Sequence, residues 1–252
     1  MAIDWSAIEE DHDHRPWNLP DRPWMMTMSW VYLFAAHWPV DPELLAPKIP
    51  DGLTLDTFDG DAWLSLIPFK MDNVHPRGLT WSPYSFPFPE LNVRTYVSAD
   101  GDKPGVWFFS LDAGSRLAVT GARTLFHLPY FNADMSIELD GDTVAYRSRR
   151  THRGVPGADF AATYGPTGPA CEAEEGTLEY WLMERYCLYS AKNGRVFCGQ
   201  VQHPKWQLRP AQADIETNTM FQWLDLDLPD EPALMHYVDG IHTLGWTLDE
   251  VE

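Results

Sequence analysis

The chain is predicted to fold as a mainly β domain with a few short helices, on three observations. First, 21 prolines and 12 tryptophans in 252 residues are hard to place in a mainly helical protein and suit many short strands and turns. Second, apolar and polar residues alternate with a period of two over several segments of five to twelve residues. Third, clusters such as Lys192-Asn193-Gly194 and Asp140-Gly141-Asp142 sit between those segments where hairpin turns belong. The length suits one large β domain. Residues 1–23, with Pro16, Pro20 and Pro23, read as an extended N-terminal arm, and residues 24–252 as a single domain.

Met25 to Trp38 is apolar and aromatic, the pattern of a buried strand. Asp41 to Pro47 predicts a short helix, capped by Asp41 with Pro42 at its first position and ended by Pro47. Leu53 to Phe58 and Ala62 to Met71 read as strands joined by Asp59-Gly60-Asp61, and residues 72–89 as a long irregular loop. A hairpin follows, turning within Ser98-Ala-Asp-Gly-Asp-Lys-Pro104. Arg116 to Leu128 is helical or irregular. Ala133 to Leu139 and Thr143 to Arg150 form another hairpin, and Gly154 to Glu175 is loop-like. Thr177 to Arg185 has helical spacing at Leu178, Trp181, Leu182 and Arg185. Tyr186 to Tyr189 and Arg195 to Gln202 bracket the Asn193-Gly194 turn, and Gln212 to Asn218 and His236 to Thr247 supply closing strands.

The net charge of −19, with 13 arginines and only five lysines, argues against nucleic acid or an anionic membrane as partner. Dispersed acid with scarce lysine fits a salt-adapted proteome; an ordinary acidic cytosolic protein is the alternative. Cys171, Cys187 and Cys198 form no Cys-x-x-Cys, so neither a metal nor a redox motif is expected. An odd cysteine count and a polar, acidic first twenty residues point to a reducing cytoplasm. The longest apolar run, Trp30 to Ala36, is too short to span a membrane. No Gly-rich phosphate loop, Gly-x-Ser-x-Gly or His-Glu-x-x-His is present, so no cofactor is expected.

The chemistry gathers in the hairpin Phe88-Pro-Glu90-Leu-Asn92-Val-Arg94-Thr-Tyr96-Val97 and Gly105-Val-Trp-Phe-Phe-Ser110-Leu-Asp112. A strict period of two puts Glu90, Asn92, Arg94 and Tyr96 on one face. It puts Phe108, Ser110 and Asp112 on the matching face of the second strand, with Glu90 opposite Asp112 and Asn92 opposite Ser110. That set forms a pocket in which Arg94 clamps a carboxylate and Glu90 or Asp112 moves protons, or else a buried ion-pair network. His37 and His203, each flanked by Trp or Pro, read as substrate contacts or as core histidines bonded to backbone. Asp11-His-Asp-His14 lies in the arm and is a weak metal candidate. Arg147, Arg149, Arg150 and Arg153 either attract an anion or pair with surface carboxylates.

His37-Trp38-Pro39, Pro68-Phe69, Glu90 to Tyr96, Gly105 to Asp112, Leu128-Pro-Tyr130, Glu184-Arg-Tyr186 and His203-Pro-Lys-Trp206 together resemble the uncharacterised DUF2071 (YqjF-like) family. That family is placed in the acetoacetate-decarboxylase-like superfamily. The resemblance implies a closed, mostly antiparallel β-barrel with an internal polar pocket, and a possible homo-oligomer. The decarboxylases of that superfamily use a Schiff-base lysine beside a second lysine, with a nearby glutamate that Glu90 matches. Where the lysines would stand this chain has Ser110-Leu-Asp112, and an imine needs a primary amine. Lys70, at the end of Ile67-Pro-Phe-Lys70, is either a substitute amine or a surface lysine with no second lysine adjacent. Three readings result: a lyase, hydratase or isomerase acting on a small oxo- or carboxylate-bearing metabolite without an imine; a non-catalytic small-molecule-binding barrel; and a structural subunit with a vestigial pocket.

Overall fold

The computed structural model describes residues 3–79, 85–99 and 102–251. In chain order the elements are α1 (Trp5–Glu10), β1 (Met26–Val40), α2 (Pro42–Leu45), β2 (Thr54–Leu55), β3 (Ala62–Pro76), β4 (Phe88–Ala99) and β5 (Asp102–Ala113). They continue with α3 (Arg116–Leu125), β6 (Tyr130–Asp140), β7 (Thr143–Arg150), β8 (Asp159–Pro166), α4 (Leu178–Met183) and β9 (Cys187–Lys192). The last are β10 (Arg195–Gln202), β11 (Arg209–Asn218), β12 (Leu234–Gly245) and β13 (Asp249–Glu250).

Local chemistry sets many of these boundaries. Asp41 caps α2 by accepting from the Glu43 N–H, Ser115 caps α3 and Thr177 caps α4. Asn193 and Gly194 both take positive φ, as a two-residue turn between β9 and β10 requires. Three expectations change. Residues 72–89 are not loop throughout, because β3 runs on to Pro76 and β4 begins at Phe88, while 80–84 lie outside the described residues. Residues 1–23 are not extended throughout, because Asp4 caps a helix that buries Ile8, and Arg15 is tied to the Val201 carbonyl and to Gln200 and Gln202. Residues 154–175 are not loop throughout, because 159–166 form β8; its Ala161, Ala162 and Gly165 lack the bulky β-formers that signal a strand.

The strands close into two rings that share a wall. The sheet order runs β13-β10-β9-β5-β6-β7-β8-β11-β12-β1-β3-β4-β2, and β4 also pairs with β5, and β10 with β12. The edge of β5 therefore splits. Val106 and Trp107 run parallel to Leu188 and Tyr189 of β9, whereas Leu111 to Ala113 run parallel to Tyr130 to Asn132 of β6. β12 splits likewise, with Leu244 and Gly245 on β10 and His236 and Tyr237 on β11. One ring is β1-β3-β4-β5-β9-β10-β12; the other replaces β9 and β10 with β6, β7, β8 and β11. At the split Gly105 is required, since a Cβ there would lie 2.7 Å from the Cys187 carbonyl oxygen.

The shared strands are buried on both faces, which explains the unbroken apolar run of β1. Leu33 and Ala35 of β1, Ile67 and Phe69 of β3 and Tyr96 of β4 face the first ring. Phe34, Ala36 and Trp38 of β1, Leu64 and Leu66 of β3, and Leu91 and Val93 of β4 face the second. The second ring is filled by aromatics, with Phe34 stacked on Tyr164 at 4.7 Å and Trp38 edge-on to Phe221 at 5.0 Å. No described helix is long and apolar enough to cross a membrane.

Candidate functional site

The first ring encloses a cavity of about 370 Å³. β4 brings Glu90, Asn92 and Arg94 to its wall, as the alternation of that strand requires. The rest of the lining is mostly apolar: Met26, Met28, Trp30, Phe69, Met71, Phe108 and Leu111 from the strands, Ala118, Ala122 and Leu125 from α3, and Met183 from α4.

β5 departs from the expected register. Val93 pairs with Ser110 but Arg94 with Phe108, so Phe109 is an extra residue in a bulge. Asp112 consequently sits opposite Leu91, not Glu90, and Ser110 opposite Val93, not Asn92. Phe108 and Leu111 take the cavity side, while Phe109 joins the second ring's core. Ser110 and Asp112 therefore do not line the cavity. A strict period of two could not anticipate this, because one inserted residue reverses every later side chain.

Asp112 is fully buried and bound by Arg150, whose Nε donates at 2.8 Å and Nη2 at 3.1 Å. Burial pushes its carboxyl up to about 6 even against that guanidinium, so the pair stays ionised at neutral pH. Glu90 has no such cation. It is 1 % exposed, and the Tyr130 hydroxyl donates to both of its oxygens at 3.0 and 3.1 Å. Burial pushes the Glu90 carboxyl up to about 8, while hydrogen bonds from Tyr130 and Asn92 pull it down in part. It is thus chiefly the neutral acid at pH 7.

Arg94 is the complementary case. Its Nη2 donates to the Leu182 carbonyl at 3.2 Å and its guanidinium lies over the Tyr96 ring at 5.6 Å, but among the described residues no carboxylate lies within 4 Å. Its buried Nε has no acceptor, and the Oδ1 of Asn92 has no donor. Arg185 also reaches the lining, stacked over Trp181 at 4.4 Å, but its charge is met by Asp56 at 2.8 Å.

Tyr96 lies on the same interior face, and its hydroxyl contacts Ser65 Oγ, which contacts His37 Nδ1, each at 2.7 Å. Burial, helped by His236 and Arg94, keeps His37 neutral, and its Nε2 is unpartnered. This chain of three extends the polar face beyond Arg94, outside the cavity lining. His203 is built differently: Nδ1 donates to the Pro204 carbonyl at 2.8 Å and the ring stacks on Tyr186 at 4.6 Å. That is a core histidine's setting. Arg147 and Arg149 pair with Glu216 and Asp134 at the surface. None of the five lysines, Lys70 included, lines the cavity. Tyr130 and Arg185, which the residue-by-residue reading did not single out, lie within the quoted segments Leu128-Pro-Tyr130 and Glu184-Arg-Tyr186.

Residues 27–242 match the family of uncharacterized conserved proteins DUF2071. The chain is 44% identical over 231 residues to the uncharacterized protein YqjF of Bacillus subtilis (strain 168), covering 92% of this chain and 94% of that one. Among solved structures it is similar to an acetoacetate decarboxylase, with a TM-score of 0.61 at 15% identity, 97% of each chain being covered. It is also similar to the enduracididine biosynthesis enzyme MppR bound to the condensation product of pyruvate and imidazole 4-carboxaldehyde, with a TM-score of 0.62 at 10% identity and coverage of 91% and 90%. At those identities the likeness is one of fold: mostly β and acetoacetate-decarboxylase-like. The chain belongs to the DUF2071 family.

Proposed function

We propose, with that membership as premise, that the chain binds a small carboxylate- or oxo-bearing metabolite in the first ring and acts on it by proton transfer without an imine. The observation that carries this reading is that one strand face holds a half-buried guanidinium without a described carboxylate partner and a buried carboxyl without a described cation. Arg94 offers a guanidinium that no described carboxylate meets, and four residues away Glu90 offers a neutral acid. The buried Nε of Arg94 lacks an acceptor, and a ligand carboxylate would supply one through two parallel hydrogen bonds to the guanidinium.

Glu90 is the proton carrier in this scheme. With its carboxyl up near 8, its carboxylate form takes the proton from the carbon beside the oxo group, and the acid so formed returns a proton to the resulting enolate. Tyr130 steadies the conjugate base, and Asn92 orients the substrate between the two. Lysine chemistry is left out because no amine lines the cavity. MppR, a neighbour in fold, has been solved with pyruvate bound, which supports the choice of oxo acids as first probes.

A second reading, a binding protein without turnover, gains weight from Asp112. Its place in the second ring leaves Glu90 as the one carboxyl group in the cavity lining among the described residues, so a two-carboxylate mechanism has no second member among them. The test is calorimetric titration of oxo and hydroxy acids into wild type and Arg94→Met, followed by proton NMR of each bound acid in heavy water. Deuterium incorporation beside the oxo group that vanishes in Glu90→Gln supports catalysis. Binding without exchange supports the second reading, and binding undiminished in Arg94→Met refutes the anchor.

A further inference from the structure

We propose that the ligand this cavity takes is a carboxylate on a long apolar body, of the arylalkyl or medium-chain alkyl class, rather than a compact oxo acid. The inference rests on Arg94 as the carboxylate anchor. Its own ground is the shape and chemistry of the rest of the wall.

Glu90 and Arg94 are four residues apart on an extended strand, about 13 Å at the usual rise. Between them only Asn92 offers β4 polarity to the lining, and the strands around contribute Met28, Trp30, Met71, Phe108 and Leu111, with Tyr130, Arg185 and Gln200 as further polar side chains. A volume of about 370 Å³ is that of pockets that enclose molecules well beyond pyruvate's size. A compact acid held at Arg94 would leave much of that space to water, which needs two or more polar partners, and the methionine, phenylalanine and leucine side chains that make up most of the wall supply none. An apolar body fills it and gains the burial energy of its own surface.

The polar atoms left over agree with a single acidic head. Among the described lining residues the unmet buried polar atoms are two donors, Arg94 Nε and Trp206 Nε1, against one acceptor, Asn92 Oδ1. Donors in excess call for an acceptor-rich group, which a carboxylate is. The methionines favour a class of bodies over one outline, since unbranched thioether chains repack around different hydrocarbon shapes. Leu125, on the α3 side of the lining, is 64% exposed, so the apolar wall continues to the surface and gives such a body a route of entry.

The experiment titrates the full chain by calorimetry with pyruvate, 4-phenylbutyrate and 4-phenylbutanol, the last having the same body without the charge. Repeats on Arg94→Met and on Leu111→Trp complete it. 4-Phenylbutyrate is expected to bind at least about tenfold more tightly than either of the others, the scale of one well-met charge. Arg94→Met should bring the acid down to the alcohol while leaving the alcohol unchanged, which also shows that the variant is folded. Leu111→Trp should weaken both phenyl ligands by about tenfold or more and spare pyruvate. Pyruvate binding as tightly as 4-phenylbutyrate, and lost in Arg94→Met, overturns the inference but keeps the anchor. Phenylbutanol binding as tightly as the acid, or no binding of any of the three, overturns both.

Discussion

The two rings are made in part from the same strands, yet they treat charge in opposite ways. In the second ring Asp112 and Arg150 are both buried and each is the other's partner. In the first, Glu90 and Arg94 are a carboxyl and a guanidinium of the same kinds, four residues apart, and they do not pair. The second ring is closed by aromatic packing, whereas the first is left open around a cavity. The lesson is that a buried ion pair marks where a fold holds itself together, and a buried carboxyl kept apart from a half-buried guanidinium marks where it waits for something else.

The sharpest way to break this comparison is to remove one arginine from each ring. Arg150→Met strands the Asp112 carboxylate and should cost about 3–5 kcal/mol in urea unfolding, most of it recovered in the double variant Asp112→Leu, Arg150→Met. Arg94→Met should change stability by less than about 1 kcal/mol, because no described carboxylate is left behind. Equal losses from the two single variants would end the contrast.

Next in size is a pH effect confined to the first ring. The folded state holds the Glu90 proton up to about 8 and the unfolded chain only to the ordinary 4.5, so unfolding releases a proton between those values. Stability from this group is therefore full below about 4.5 and lost as pH rises through about 8, by a few kcal/mol across the window. Glu90→Gln should remove that slope and be more stable than wild type at pH 9, as read by chemical denaturation at several pH values.

Packing separates the rings by a smaller margin. Val93→Phe adds bulk to the filled ring and should cost about 1–3 kcal/mol. Leu111→Phe, on the cavity wall, should cost less than about 1 kcal/mol because there is room for it. Smallest is Tyr130→Phe, which removes one hydrogen bond from Glu90. Carbon-13 titration of the Glu90 carboxyl should show its midpoint rising above about 8 by up to roughly one pH unit, the worth of one such bond.

Much of this contrast was readable in the residues, and the part that was not has a physical reason. The grouping of Glu90, Asn92, Arg94 and Tyr96 follows from strand periodicity, and the apolar run from Leu33 to Trp38 signals a strand buried on both sides. Caps and turns are local, so Asp41 and Asn193-Gly194 were legible. The bulge at Phe109 was not, because it satisfies β4 and has no signature in β5 itself. Nor was the splitting of β5 and β12, which depends on partners as distant in sequence as Leu188 is from Val106. Tyr130, which donates to Glu90, and Arg185, the second cavity arginine, come from β6 and from just past α4, and only assembly brings them to β4.

The shared wall has one more consequence, for how such a protein can change over generations. Along β4, neighbouring positions answer to different masters: Leu91 and Val93 to the packed ring, Glu90, Asn92 and Arg94 to the open one. A substitution at one set is screened mainly for what the protein binds, and at the other mainly for whether it folds at all. A lineage built this way can drift toward new ligands one codon at a time while its foundation is inherited almost untouched.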